Sequence, residues 1–165
     1  LFYNFRIFTK SRIHIQKYKD LNDDINATVE RINWKYSNDS WQPIVMIRRH
    51  FSQKELMALY KMAVVCVVSS LHDGMNLVAK EYIAAADASK GMLILSRFTG
   101  AARELTDAVL INPYAPDSFA EAIKTALELP PEEKEKRMQK MKETVAESNI
   151  YKWAGKIIQS LIRLS

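Results

Sequence analysis

The sequence predicts an α/β fold, a Rossmann-like parallel sheet flanked by helices. Three observations lead there. Segments with strand and helix periodicity alternate along all 165 residues, the pattern of a parallel sheet with helical crossovers. Val64–Ser69 is an unbroken apolar run without alternation, as expected of a strand covered on both faces. Capping boxes follow the strand-like runs, where right-handed crossovers need helices to begin.

Taken in order, the apolar run Leu1–Phe8 reads as the first strand. Tyr18 to Tyr36 follows as a helix, because Leu21, Ile25, Val29, Ile32 and Tyr36 recur in steps of four, four, three and four. Pro43 precedes the strand Ile44–Ile47. Ser52-Gln-Lys-Glu55 is a capping box that opens a helix to about Met62, the hydroxyl accepting from the third helical amide while the glutamate reaches back. After the central strand, Asn76–Ala86 reads as helix, Gly91–Ser96 as strand, Ala101–Thr106 as a short helix and Val109–Asn112 as strand. Ser118-Phe-Ala-Glu121 is a second capping box, opening a helix to Leu129. Pro131 suits the first turn of the next helix, where Glu132/Lys136 and Glu133/Arg137 stand in the favourable i,i+4 order. Asn149 interrupts the chain before a last helix, Tyr151–Leu164.

A hydrophobic content of 48% over 165 residues is enough for one domain, residues 1–165, with a real core. The longest apolar run, Met62–Val68, is far below the ~20 residues of a membrane span. Cys66 is the single cysteine, so neither an internal disulfide nor a cysteine metal site is expected, and a reducing, cytoplasmic compartment follows. No acid stands at metal-ligand spacing from His14 or His72. The net charge of +5 does not by itself imply nucleic acid, because the Lys and Arg residues are interleaved with acids and lack a stacking-aromatic pattern.

The chemistry gathers in Ser70-Leu-His-Asp-Gly-Met-Asn-Leu-Val-Ala-Lys-Glu81. The stretch leaves a strand at the carboxyl edge of the sheet, where ligands of such folds bind. Gly74 is expected to turn the backbone with positive φ. The amides of Met75, Asn76 and Leu77 then face outward with the helix dipole, which suits an anion. A plainer reading has Asp73 cap the helix and Gly74 shape the turn. Glu81, one turn below Leu77, can accept hydrogen bonds from vicinal hydroxyls, as an acid does for a ribose, or can pair with Lys80 on the surface. Gly100, in Ser96–Glu104, repeats the glycine-at-helix-entry arrangement. It either adds a second helix N-terminus to a groove for a diphosphate or allows close helix–sheet packing. His50 and Arg48-Arg49 stand at another strand end, where they meet the same edge or serve as ordinary surface groups.

Asp73–Tyr82 (DGMNLVAKEY) and Leu95–Tyr114 (LSRFTGAARELTDAVLINPY) resemble the retaining trehalose-phosphate synthase family of glycosyltransferases. The resemblance extends to Ser11-Arg12, Arg31–Tyr36, His50-Phe51 and the last helix around Trp153, so it covers essentially the whole chain. It implies the GT-B architecture, two Rossmann-like domains facing across a cleft, with this chain as most of the C-terminal, donor-binding half. It further implies glucose transfer from UDP-glucose to glucose 6-phosphate with retention, in trehalose biosynthesis, with no metal ion or other cofactor. Carried over by position, Phe51 meets the uracil, Leu77 and Val78 offer amides to the diphosphate, and Glu81 binds the ribose. Asp73 holds the transferred glucose. Gly74, Met75 and Asn76 shape the pocket, Ala79 and Lys80 belong to the same donor-binding run, and Arg12 contacts the acceptor's phosphate.

Two departures matter. His72 stands where many relatives have arginine, and the family's arginine–lysine pair that grips the diphosphate has no counterpart here, since it precedes Leu1. The implied partners are a nucleotide sugar, a sugar phosphate and the absent N-terminal domain, not nucleic acid or a membrane. Oligomerisation stays open. The isolated chain is expected to be inactive, and a non-catalytic regulatory or assembly homologue is the alternative.

Overall fold

The structure is a computed structural model that describes residues 4–7, 16–148 and 150–163. Two compact units divide the chain, Leu1–Ser52 and Gln53–Ser165.

In the first unit the expected strand–helix–strand order is present. β1 (Asn4–Ile7) and β2 (Ile44–Ile47) pair in parallel from Asn4 opposite Ile44 to Ile7 opposite Ile47. Parallel neighbours cannot be joined by a hairpin, and the connection is α1, Gln16–Tyr36. Ile25, Val29 and Ile32 of its stripe are half-buried, whereas Leu21 and Tyr36 at its ends are exposed. The Asn33 side chain fastens α1 to β2: its Oδ1 accepts from the Ile44 amide at 3.0 Å, and its Nδ2 donates to the Ile44 carbonyl at 2.9 Å. Both backbone groups at the head of the strand are thereby satisfied.

The second unit opens with α2 (Gln53–Met62) and contains a parallel sheet in the order β3–β4–β5, built from Val65–Val68, Met92–Ser96 and Val109–Ile111. β4 is central, and all five of its residues are buried. β3, expected to be covered on both faces, is an outer strand of this sheet, and its Val67 is 42% exposed. An unbroken apolar run signals burial on both sides only for a strand with neighbours and helices all round.

α3 (Leu77–Ala85) buries Ala79, Tyr82 and Ile83. With Met92–Leu95, Leu105, Ile111, and Met138 and Met141 of α5 (Pro131–Glu147), they form the core. Each such large side chain removed from water stabilises the fold by roughly 1.5–3 kcal/mol.

Two helix starts differ from expectation. α4 spans Pro116–Glu128, beginning two residues before the Ser118 box. Pro116, with φ already set for a helix, takes the first turn. The Ser118 hydroxyl then donates back to the Ala115 carbonyl at 2.9 Å instead of capping an amide. The short helix expected over Ala101–Thr106 is a 3₁₀ turn, Gly100–Arg103, starting one residue earlier and ending three earlier. α5 starts at Pro131 as expected, and its Glu133–Arg137 pair closes at 2.7 Å. Buried Lys134 donates to the Leu127 carbonyl at 3.0 Å, satisfying an orphan group at the end of α4. The last helix, α6, covers Ile150–Ile162. No helix among the described residues is long and apolar enough to cross a membrane.

Candidate functional site: the loop at the start of α3

β3 delivers the chain at Val68, and the loop before α3 is laid against the turn that follows β4. Asp73 forms an isolated parallel bridge with Thr99. The Asp73 amide donates to the Phe98 carbonyl at 3.4 Å, the Gly100 amide to the Asp73 carbonyl at 3.0 Å, and the Ala101 amide to the Met75 carbonyl at 2.9 Å. The second glycine turn therefore does not open an additional anion site. The Gly100 and Ala101 amides at its helix entry support the first loop, so Gly100 is a close-packing glycine, although it packs on that loop and not between helix and sheet. A Cβ there would lie on the Gly74 carbonyl oxygen, 2.9 Å from Gly74 C and 3.4 Å from Met75 Cα.

Gly74 lies at the bend of the loop, but without the positive φ expected of it. Among the described residues no glycine has positive φ, and the left-handed residue is Asn76, at φ 67° and ψ 84°. Asparagine tolerates this region because its short side chain bonds locally. Asn76 is buried, its Oδ1 accepts the Ala79 amide at 2.9 Å, and its Nδ2 donates to Asp73 Oδ2 at 2.9 Å and to Ser70 Oγ at 3.3 Å. Asp73 Oδ1 in turn accepts the amides of Met75 at 3.2 Å and Asn76 at 3.1 Å. Asp73 thus organises the loop before the helix, while Asn76 is the cap. This corrects the expectation that the Met75 and Asn76 amides face outward for an anion. The carboxylate of Asp73 already uses them.

Leu77 and Val78 are different. Their amides are the first two of α3 and have no acceptor among the described residues. Both side chains are exposed, at 60% and 47%. Two unpaired amides at the positive end of a helix dipole can donate to an anion. Gly74 has no atom within 4 Å of where a Cβ would project, so the loop backbone faces open space on that side.

Farther along α3, Lys80 does not pair with Glu81. Its ammonium meets Glu104, beyond the 3₁₀ turn, at 2.7 Å. Glu81 is exposed and accepts from the Tyr60 hydroxyl of α2 at 3.5 Å. Tyr60 is buried and sits edge-on to Tyr82, with ring centroids 5.9 Å apart. Desolvation, with the nearby Glu81 charge second, pushes the Tyr60 hydroxyl up to about 12. It is therefore a proton donor throughout the neutral range. His72 is exposed and stacks at a tilt on Phe98, 5.8 Å away; Phe98 meets Tyr114 edge-on at 5.7 Å.

Asp73, Gly74, Met75, Asn76, Leu77, Val78, Ala79, Lys80 and Glu81 are thus gathered on one loop and the first turns of one helix. Ala79 is fully buried and offers only its capped amide. Phe51 belongs to the first unit, where it is half-buried with the Arg49 guanidinium 4.1 Å above its ring. Arg48 donates to Asn26 in the same unit. Arg12 lies outside the described residues. Sequence reasoning missed Tyr60, and did not foresee the bond of Ser70 to Asn76 or that of Glu104 to Lys80. For Tyr60 a signal existed: a tyrosine on the inward stripe of a helix needs a partner for its hydroxyl.

The sequence model of glycosyltransferase family 20 matches residues 5–163 of this chain. A trehalose-6-phosphate synthase of Enterobacter sp. strain 638 is 41% identical over 159 residues, 96% of this chain and 34% of the relative. One from Citrobacter koseri is 41% identical over 157 residues, 94% of this chain and 33% of its own length. Among solved structures, an α,α-trehalose-phosphate synthase (UDP-forming) of Burkholderia xenovorans in complex with glucose-6-phosphate superposes with a TM-score of 0.89 at 37% identity, covering 95% of this chain and 35% of that one. The E. coli protein bound with UDP-2-fluoro glucose gives a TM-score of 0.89 at 39% identity, with the same coverage of 95% and 35%. The chain therefore spans about a third of the length of the relatives it matches.

Proposed function

The chain belongs to glycosyltransferase family 20, and from that premise we propose that it is the donor-binding part of a trehalose-6-phosphate synthase-like enzyme. That enzyme transfers glucose from UDP-glucose to glucose 6-phosphate with retention of configuration, in trehalose biosynthesis. The observation that carries the reading is the pair of unpaired amides, Leu77 and Val78, at the start of α3, with the exposed carboxylate of Glu81 one turn farther on. An anion seated at the helix start and hydroxyls offered to a carboxylate are what a nucleoside diphosphate brings together. The ligands of the Burkholderia and E. coli structures, a sugar phosphate and a UDP-sugar, support the same substrate classes here.

In this reading the Leu77 and Val78 amides act on the departing diphosphate. Its negative charge grows as the glycosidic bond breaks, so donors already aimed at it stabilise the transition state more than the ground state. Glu81 accepts from the ribose hydroxyls, and Phe51 lies against the base. Asp73 has two tasks, holding the loop through its own amide bonds and meeting the glucose hydroxyls from the pocket side. Gly74, Met75 and Asn76 bring the backbone of that pocket close, while Ala79 and Lys80 complete the donor-binding run. Arg12 meets the acceptor's phosphate. The partner domain supplies most acceptor contacts, so the chain by itself is inactive. No metal ion or other cofactor takes part.

Calorimetric titration of the chain with UDP and UDP-glucose, beside ADP- and GDP-glucose, tests this. The expected result is weak binding that prefers one base and is lost in Glu81→Ala. Absence of binding at millimolar ligand, in this chain and in one extended upstream, would point instead to a non-catalytic regulatory homologue.

A further inference from the structure

Glu81 is exposed, yet it is not unguided. One carboxylate oxygen, Oε2, accepts from the Tyr60 hydroxyl at 3.5 Å. Tyr60 reaches it from α2, a separate helix, and cannot easily drift. It is 8% exposed, is packed edge-on against Tyr82, and Tyr82 is itself fully buried with its hydroxyl donating to the Ala63 carbonyl at 3.3 Å. A glutamate on a helix surface otherwise samples several rotamers, and ordering a freely rotating side chain at the moment of binding costs affinity.

We propose that Tyr60 is a positioning residue for the donor: its hydroxyl holds Glu81 Oε2 so that Oε1 is presented, already oriented, to the ribose hydroxyls. The inference rests on the reading of Glu81 given above. Because the tyrosine stays protonated across the neutral range, it can donate throughout that range. It touches Glu81 and not the reacting atoms, so its influence falls on donor affinity alone.

The test uses the full-length enzyme with Tyr60→Phe, Glu81→Ala and the double variant, measuring UDP binding by calorimetry and the Michaelis constants of both substrates. Tyr60→Phe keeps the ring that fills the core, and its melting temperature checks that the fold is intact. The bond is long at 3.5 Å, so its loss is expected to count as an ordinary rather than a charge-assisted hydrogen bond, weakening UDP binding about three- to tenfold. The donor KM should rise alongside, with kcat and acceptor KM unchanged. In the Glu81→Ala background, or with 2′,3′-dideoxy-UDP as the ligand, Tyr60→Phe should have no further effect. If Glu81→Ala weakens UDP but Tyr60→Phe does not, or if the tyrosine effect persists without Glu81, Tyr60 is only a core residue and the proposal fails while the donor reading stands. If Glu81→Ala leaves UDP binding unchanged, the ribose role falls, and that of Tyr60 with it.

Discussion

A single asparagine decides the geometry of the loop. Asn76 holds a left-handed backbone, caps α3 through the Ala79 amide and ties Asp73 to Ser70. Two contributions can be separated by substitution. Asn76→Gly removes the side-chain bonds but accepts φ 67° without cost. Asn76→Ala removes the same bonds and also pays about 1–2 kcal/mol for a Cβ in the left-handed region. In urea denaturation both variants should be less stable than the wild type, with alanine below glycine by about that margin. Equal midpoints would mean that the left-handed conformation is not enforced by the fold.

At the scale of elements, the loop before α3 and the 3₁₀ turn after β4 form one unit joined through backbone bonds from Gly100 and Ala101. Its two glycines do opposite things. A Cβ on Gly100 would collide with the Gly74 carbonyl, and backbone on both sides leaves nothing flexible to yield. Gly100→Ala is therefore expected to cost about 1–3 kcal/mol or more, as overpacking does. Gly74→Ala meets no atom within 4 Å and no positive φ. It should leave the melting temperature nearly unchanged while weakening UDP-glucose, because the open space beside Gly74 is where we place the ligand. A destabilised Gly74→Ala, or a tolerated Gly100→Ala, would reverse the assignment.

At the scale of the molecule, the second unit holds three groups that resist ionisation, Tyr60 and Tyr82 in its core and the half-buried Cys66 packed against it. Burial pushes the Cys66 thiol from its ordinary 9.0 up to about 12 and the Tyr60 hydroxyl from 10.0 up to about 12, and it raises Tyr82 as well. In each, the folded-state value lies above the unfolded one. The stability they contribute is thus complete below the unfolded value and is lost as pH rises through the folded value. Melting temperature should hold to about pH 9 and fall steadily between pH 9 and 12. Cys66→Ala should delay the onset toward pH 10, where the tyrosines begin to titrate. An onset unmoved by this substitution would show that the thiol is not what the fold keeps protonated.

What was legible in the sequence was whatever depends on neighbours along the chain. Helical periodicity located α1, the Ser52 box and Pro131 marked the starts of α2 and α5, and alternation of strand and helix established a parallel α/β arrangement. The contiguous run Asp73–Glu81 likewise marked out a loop that leads into a helix, where we place the donor. Misreadings arose where two local signals competed, as when Pro116 displaced the Ser118 box. Only tertiary structure decided which amides of the loop remain unpaired, that Asn76 and not Gly74 takes the left-handed turn, that Gly100 is a packing glycine, and that Tyr60 reaches Glu81. Each of these depends on a partner far away in sequence or on how a donor is shared among competing acceptors. Spacing along a chain records neither, because a hydrogen bond is settled by distance and direction in the folded molecule.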